Sequence, residues 1–249
     1  SDFKSIRNMV IKEAMEISQG EFIFDESEAA DSIITEPPVD SSMPPDYFLP
    51  ENADDIQDGF ELNKQENSHH GKSRSPSWWS KDYKQAKQFF YGDEDAGITQ
   101  DFEKAYSLLL LVAERDNPLA MYDLGRMNAD GLGCSEDASK SHQWYEKALT
   151  VFHSAESEKP WKYTQYRIGK MYAAGLGAEQ DYIKAAQWLT QSAGEKYKYA
   201  EYSLAGLYYR GNGVEQDYQT AFELYLRSAI QSFPYASFET GKMLRDGIG

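Results

Sequence analysis

A short glycine-bearing segment recurs along the C-terminal two-thirds of the chain, and this repetition limits the possible folds more than any other feature. Its four copies are GRMNADGLG at 125–133, GKMYAAGLG at 169–177, AGLYYRGNG at 205–213 and GKMLRDGIG at 241–249. Successive copies start 44, 36 and 36 residues apart. Such spacing is typical of repeat proteins, in which each copy is one small supersecondary element that stacks on the next.

A second recurring motif carries an aspartate near its start. These aspartates are Asp101, Asp137, Asp181 and Asp217. A carboxylate there accepts hydrogen bonds from the free N–H groups at the start of a helix, whereas a glycine such as Gly131 suits the left-handed residue that ends one. Each repeat therefore predicts a helix A, a Gly-x-Gly loop and a helix B. The predicted fold is all-α: an α-solenoid of antiparallel helix pairs (an α/α superhelix), with an N-terminal helix and an acidic extended segment.

Small residues recur in register on both helices of each repeat. They are Gly125, Gly169, Ala205 and Gly241 on helix A, and Ala105, Ser141, Ala185 and Ala221 on helix B. Together with the glycine loops, this pattern resembles the Sel-one-like repeat (SLR), a relative of the tetratricopeptide repeat. The resemblance covers residues 81–249. It implies a degenerate first repeat at 81–114, full repeats at about 118–150, 161–194 and 198–231, and a half repeat at 234–249, with eight extra residues near VFHSAESEKP.

Most of the net charge of −16 lies in one N-terminal tract. Fifteen acidic residues and no basic residue lie between Lys12 and Lys64, whereas residues 64–249 hold 25 acidic and 22 basic residues. Residues 1–19 predict an amphipathic helix, and residues 20–80 an acidic, Pro- and Ser-bearing linker or docked extended segment. An acidic tract repels phosphate backbones, so we expect no direct binding of nucleic acid by this chain.

Alignment of helix A with the tetratricopeptide repeat, as the resemblance implies, places an aromatic and cationic series on the inner, concave face. Its members are Leu119, Tyr122 and Arg126; Tyr163, Tyr166 and Lys170; Tyr199, Tyr202 and Tyr209; and Tyr235, Phe238 and Lys242. Tyrosine offers a large contact area with a polar tip, and Arg and Lys favour carboxylates. The predicted partner is an acidic-aromatic protein or peptide segment. The alternative is that several of these tyrosines pack between adjacent repeats.

The chain itself contains a segment with the chemistry expected of that partner. Residues 44–56, PPDYFLPENADDI, combine adjacent aromatic side chains with several carboxylates. We hypothesise that this segment lies in the groove, either in its own molecule or in a neighbouring copy.

Catalytic residues, cofactors and metal sites are not expected from the sequence. Cys134 is the lone cysteine, and His142 nearby has no third residue to complete a nucleophile arrangement. His69 and His70 lack further ligands at metal-binding spacing. Trp78 and Trp79 precede the first repeat, where they are interpreted as a cover for the end of the solenoid, with ligand stacking as the alternative.

The absence of a disulfide pair and of any long apolar run favours a cytoplasmic protein that does not enter a membrane. The chain begins with Ser1 and ends at Gly249 inside a repeat, which we interpret as an excised fragment of a longer protein.

Three functions are compatible with the sequence. The first is a non-catalytic protein-interaction scaffold; runs such as YKQAKQFFYG and KYTQYRIGKMYAAGLG also resemble the repeat-containing region of relaxase-type mobilisation proteins of Gram-positive bacteria. The second is a hydrolase of β-lactams or cell-wall material, like some SLR proteins, although those resemble secreted, disulfide-stapled repeats. The third is a homo-oligomerisation element, for which symmetric burial of Phe238, Met243 and Ile248 would be the sign.

Overall fold

The computed structural model describes residues 78–249 and, before them, Asn8, Ile11 and Lys12. Those three residues are helical. The rest of the predicted helix at 1–19, and the acidic segment as far as residue 77, lie outside the described residues.

Residues 78–249 are built from helices, with one isolated β-bridge between Asp93 and Ile98. The helices are α1 (Lys81–Tyr91), α2 (Phe102–Ala113), α3 (Pro118–Asp130), α4 (Ala138–Glu158), α5 (Lys162–Ala174), α6 (Tyr182–Gly194), α7 (Lys198–Arg210), α8 (Tyr218–Ile230) and α9 (Pro234–Asp246). Odd-numbered helices are the A helices of the repeats, and even-numbered helices are the B helices. The all-α solenoid of helix pairs predicted from the sequence is confirmed.

The recurring aspartates begin the B helices as predicted. The side chains of Asp101, Asp137 and Asp181 accept hydrogen bonds from the backbone N–H groups of Lys104, Lys140 and Lys184. Asp217 accepts the same bond from Thr220, at 3.0 Å, and a second from the Thr220 hydroxyl at 2.6 Å. Each carboxylate thus satisfies backbone donors that the first helical turn leaves free.

The Gly-x-Gly loops reverse the chain through left-handed backbone and a repeated set of hydrogen bonds. After α7, Gly211 and Gly213 have φ of +71° and +69°. The Asn212 N–H donates to the Leu207 carbonyl at 3.0 Å, and the Asp217 N–H donates to the Tyr208 carbonyl at 3.0 Å. Equivalent bonds follow α3 and α5, so the same turn connects A to B in each full repeat.

The second glycine of the first three loops lies against the backbone of an earlier B helix. A Cβ on Gly213 would stand 2.3 Å from the Tyr182 carbonyl oxygen, and one on Gly133 would stand 2.1 Å from that of Phe102. Both contacts fall at the first residue of the helix touched. Glycine is required here because any side chain would collide with main-chain atoms that cannot move aside.

The eight extra residues of the 44-residue interval are two added turns of α4. This helix has 21 residues, whereas α6 and α8 have 13 each. The Cβ position of Gly177 meets α4 at Tyr145 and Glu146, eight residues beyond the Asp137 cap instead of one. The insertion therefore moves the point where the next loop touches the B helix about two turns along it.

The described residues form two compact units. The first comprises residues 78–171 and 175–180, in which α1 packs on α2, α2 on α3 and α3 on α4. Its core holds a buried ion pair: Lys87 Nζ lies 3.1 and 3.0 Å from the two carboxylate oxygens of Asp123, and the Tyr83 hydroxyl donates to the same carboxylate at 3.0 Å. These partners offset the cost of removing both charges from water.

The second compact unit comprises residues 172–174 and 181–249, in which α6 packs on α7, α7 on α8 and α8 on α9. The buried carboxylate of Glu201 on α7 accepts hydrogen bonds from Arg227 Nε at 2.8 Å and Gln231 Nε2 at 2.6 Å. Burial raises the pKa of Glu201, and the hydrogen bond from Arg227 opposes that shift. The network fastens the B helix α8 to the A helix α7.

Candidate partner-binding surface

The aromatic side chains at the start of α5 are covered by a segment from outside the repeats. Trp79 lies edge-on to Tyr163, with ring centroids 5.0 Å apart, and Trp78 lies edge-on to Phe152 at 5.5 Å. Both tryptophans also contact Trp161. The added turns of α4 carry Phe152, so the insertion and the Trp-Trp pair form one cluster in the first compact unit. In this position the tryptophans fill the core beside α5.

An asparagine fixes the entry of that segment. Asn117 Oδ1 accepts the N–H groups of Leu119 and Ala120 and so caps α3, while Asn117 Nδ2 donates to the Trp78 carbonyl at 2.7 Å. One side chain therefore begins α3 and anchors the chain that precedes α1.

The predicted inner-face residues of α3 and α5 are largely engaged within the first compact unit. Leu119, Tyr163 and Tyr166 are buried, and Tyr122 is half-buried against the Tyr145 ring. The Arg167 Nε donates to the Tyr163 hydroxyl at 2.8 Å. These tyrosines thus pack within the repeats, which is the alternative that the sequence left open.

The two cations of the same series are half-buried. The Arg126 guanidinium lies 4.5 Å from the centre of the Phe90 ring, within the range of a cation–π interaction. Lys170 lies on α5 one turn after Tyr166.

In the second compact unit the first two inner-face residues of α7 are buried in the same manner. Phe233 lies edge-on to Tyr199 at 5.0 Å and to Tyr202 at 5.2 Å. Tyr209, at the end of α7, packs against Tyr218 at 5.2 Å and is half-buried.

The two aromatic inner-face residues of α9 are exposed to solvent. Tyr235 is 41% exposed and Phe238 is 47% exposed. Tyr235 contacts Phe233, just before its own helix, at 5.5 Å. Partial burial raises the pKa of the Tyr235 hydroxyl. Lys242 is half-buried, with its Nζ 3.8 Å from a Glu239 carboxylate oxygen.

Sequence reasoning missed the cation of α7. The spacing in α3, α5 and α9 puts Arg126, Lys170 and Lys242 at one repeat position, and in α7 that position is Gly206. The guanidinium of Arg210, one turn later, lies over Gly206: a Cβ there would stand 2.9 Å from Arg210 Nη2. In the sequence, the glycine at a position that otherwise holds a cation could have indicated that a cation reaches this place from a neighbouring turn.

The other candidate residues form no reactive arrangement. Within residues 78–249, no three His, Cys, Asp or Glu side chains are grouped so that they could hold a metal ion. The Cys134 thiol donates to the Met127 carbonyl at 3.4 Å, and burial raises its pKa, which disfavours the reactive thiolate. His69 and His70 lie outside the described residues. Each helix in that described range is too short or too polar to cross a lipid bilayer.

These features define a class: helical tandem-repeat proteins in which Gly-x-Gly loops connect A helices to B helices. The Sel1 repeat model matches residues 86–117, 118–150, 163–195 and 198–233. The chain belongs to the Sel1 repeat family, and the family predicted from the sequence is confirmed.

Two solved structures are similar to part of the chain. One is a protective antigen of uropathogenic Escherichia coli that displays an SLR fold, with 26% identity and a TM-score of 0.39 over 67% of this chain and 41% of the antigen. The other is a Sel1 repeat protein from Oxalobacter formigenes, with 27% identity and a TM-score of 0.45 over 66% of this chain and 44% of that protein. The chain thus spans less than half the length of either protein.

Proposed function

We propose that the chain is a protein-interaction scaffold that binds an acidic-aromatic protein segment on the exposed inner face of α9. Sel1 repeats generally mediate protein–protein interactions, so membership of the family supports the scaffold role. The observation that carries the finer proposal is the exposed aromatic pair Tyr235 and Phe238 on the inner face of α9.

The chain supplies its own examples of the contact that a partner would make. Tyr199 lies one repeat before Tyr235, and Tyr163 lies two repeats before it. Each forms an edge-to-face pair with a ring from outside its own helix, both at 5.0 Å. Tyr235 occupies the third position of this series. An aromatic side chain of the partner would complete the same edge-to-face pair, which contributes about 0.5–1.5 kcal/mol beyond the burial of area.

The charge of Lys242 predicts which residues the partner carries beside its aromatic side chain. Lys242 lies four residues after Phe238, so the two share one face of α9. A carboxylate beside the aromatic residue of the partner would pair with this cation. Residues 44–56 have that composition, with Asp46 before Tyr47 and Phe48 and with Glu51 after them. We propose this segment, from the same molecule or a neighbouring copy, as the occupant.

The wider setting follows from the same proposal. As a scaffold, this part of the chain is non-catalytic. The prediction that it belongs to a cytoplasmic mobilisation protein of the relaxase type rests on the resemblance of its repeats. The hydrolase alternative gains no support from residues 78–249, where no group of His, Cys, Asp and Glu side chains is arranged to hold a metal ion. A homo-oligomerisation element stays a second candidate because Phe238 is exposed, although Met243 is already buried in its own core.

The test is a binding measurement with a labelled peptide of residues 44–56. A 249-residue Tyr47→Ala/Phe48→Ala chain, whose internal copy of the segment is disabled, should bind the peptide about tenfold more tightly than the wild-type chain. Adding Tyr235→Ala and Phe238→Ala to the disabled chain should remove most of that binding.

Ile183→Ala is the matched control. Ile183 is also an exposed apolar residue of the second compact unit, at 62% exposure, but lies on the B helix α6. Its replacement should leave binding unchanged. The proposal is wrong if the disabled chain does not bind the peptide, or if the loss of both α9 aromatic side chains weakens binding no more than the control does.

A further inference from the structure

Two departures from the repeat pattern occur in the same helix. At the position where α3, α5 and α9 carry Arg126, Lys170 and Lys242, α7 carries Gly206. Four residues later, where the other A helices have Asp130, Ala174 and Asp246, α7 has Arg210. Residues four apart lie on one face of a helix, so the side chain of Arg210 can reach back over the vacant position. Compared with the other A helices, α7 thus lacks the cation at position 206 and has one at position 210, one turn later.

The geometry of Arg210 matches this exchange. The three atoms nearest to a Cβ built on Gly206 all belong to the Arg210 guanidinium, with Nη2 at 2.9 Å, Nη1 at 3.4 Å and Cζ at 3.5 Å. The guanidinium therefore occupies the space that a side chain at 206 would take. Glycine at 206 permits this placement, because even a methyl group would displace the charged group.

The hydrogen bonds of Arg210 are incomplete among the residues that the structure describes. Its Nε and Nη2 atoms are buried and have no acceptor there. A second arginine of the same compact unit shows the contrast: Arg227 donates from Nε to Glu201 at 2.8 Å and lies 2.7 Å from the same carboxylate through Nη2. Buried polar groups in proteins are nearly always hydrogen-bonded, so an exception of this kind calls for an acceptor from elsewhere.

We propose that Arg210 is a carboxylate-binding residue, which takes the place of the missing cation at 206 and pairs with an acidic side chain of the bound segment. A carboxylate is the favoured ligand because its two oxygens match two parallel N–H groups of a guanidinium. This inference rests on the proposed function, since it assigns the acidic residues of the occupant to a second cation besides Lys242.

The first test measures the binding of two peptides of residues 44–56 to the 249-residue Tyr47→Ala/Phe48→Ala chain. One peptide is wild-type, and the other carries Asp46→Asn and Glu51→Gln. Arg210→Gln should weaken binding of the wild-type peptide about tenfold, the size expected for loss of one charge-assisted hydrogen-bonded pair. The same substitution should change binding of the uncharged peptide little.

A rescue variant separates loss of the charge from damage to the fold. Gly206→Lys/Arg210→Gln restores a cation at the position where the other A helices carry one, in space that the arginine has vacated. This double variant should recover most of the lost affinity. Unchanged binding in Arg210→Gln, together with loss of binding in Tyr235→Ala/Phe238→Ala, would overturn the role of Arg210 and leave the proposed function standing.

A second readout does not depend on the peptide. The side-chain Nε–H resonances of Arg210 and Arg227 are assigned by NMR through their loss in Arg210→Gln and Arg227→Gln, and N-acetyl-aspartate amide is then titrated into the chain. The Arg210 resonance should shift saturably, while Arg227, already bonded to Glu201, should not. Inorganic phosphate is titrated in parallel. No saturable shift of Arg210 with the carboxylate, or a shift with phosphate alone, would contradict the proposal.

Discussion

At the scale of single residues, a few side chains act both on their own helix and on a distant part of the chain. Asn117 caps α3 and holds the Trp78 carbonyl. Glu201 receives hydrogen bonds from two residues of the α8 end, Arg227 and Gln231. Such residues convert local helix signals into tertiary contacts. The sequence predicts only the contacts that such a residue makes near its own position, because its distant hydrogen-bond partner lies some 26 to 39 residues away.

The four aspartates that begin the B helices should make the stability of the fold depend on pH. Hydrogen bonds lower the pKa of each: the largest cause at Asp101 and Asp217 is a side-chain bond from Lys104 or Thr220, and at Asp137 and Asp181 a backbone bond from Lys140 or Lys184. A lowered pKa in the folded state adds stability that is complete above the ordinary carboxyl value of 3.8 and is lost as pH falls through the lowered value.

Asp181→Asn isolates one of these contributions. Asparagine caps a helix about as well as aspartate but does not titrate. The free energy of unfolding of wild type, relative to Asp181→Asn, should therefore decrease as the pH falls from about 5 to about 3. Urea unfolding followed by circular dichroism at each pH measures this difference, and a difference that does not change with pH would contradict the assignment.

At the residue scale, the aromatic positions of helix A were predictable but their burial was not. The spacing identified Tyr163, Tyr199 and Tyr235 alike, yet only Tyr235 is exposed. Burial depends on a ring supplied from elsewhere, Trp79 for the first and Phe233 for the second. The role of Arg210 was not predicted for a related reason. Its guanidinium reaches the inner-face position of Gly206 from the next helical turn, and an alignment of repeat positions does not detect such a contact.

At the scale of helices and loops, the sequence predicted most of the fold. The glycine and aspartate signals located the A-to-B turns. The 44-residue interval predicted eight extra residues near VFHSAESEKP, and the structure shows that they lengthen α4. The Trp-Trp cluster was not predicted, because Trp79 and Tyr163 lie in parts of the chain with no periodic relation to each other. Repeat patterns determine contacts between neighbouring repeats, whereas a contact made once leaves no such signal.

The close approach of the second loop glycine can be measured by comparing Gly213 with Gly247, a first loop glycine that has the same left-handed backbone. Gly213 and Gly247 have φ of +69° and +65°, but a Cβ meets the Tyr182 backbone at Gly213 and nothing within 4 Å at Gly247. Gly247→Ala should cost about 1–2 kcal/mol, for the left-handed backbone alone. Gly213→Ala should cost about 3 kcal/mol or more, since overpacking is added.

Chemical denaturation of both variants gives the comparison. Equal losses of unfolding free energy in Gly213→Ala and Gly247→Ala would mean that the loop does not press against the start of α6.

At the scale of the whole molecule, the distribution of charge and of exposed aromatic residues points to one interaction. The acidic residues are concentrated between Lys12 and Lys64, whereas residues 64–249 are nearly balanced. The tract that carries the charge also carries Tyr47 and Phe48. A chain with an exposed aromatic pair beside cations, and an acidic tract bearing aromatic side chains, holds both halves of a complementary interface.

The central claim is that Tyr235 and Phe238 receive an acidic-aromatic segment, and photo-cross-linking tests it most directly. The 249-residue chain carries the photoreactive residue p-benzoylphenylalanine in place of Phe238, and a control chain carries it in place of Ile183. After irradiation, mass spectrometry should find cross-links from position 238 to residues 44–56, within one chain or between two copies, and few from position 183. Cross-links from 238 that avoid residues 44–56, or that are no more frequent than those from 183, would contradict the account.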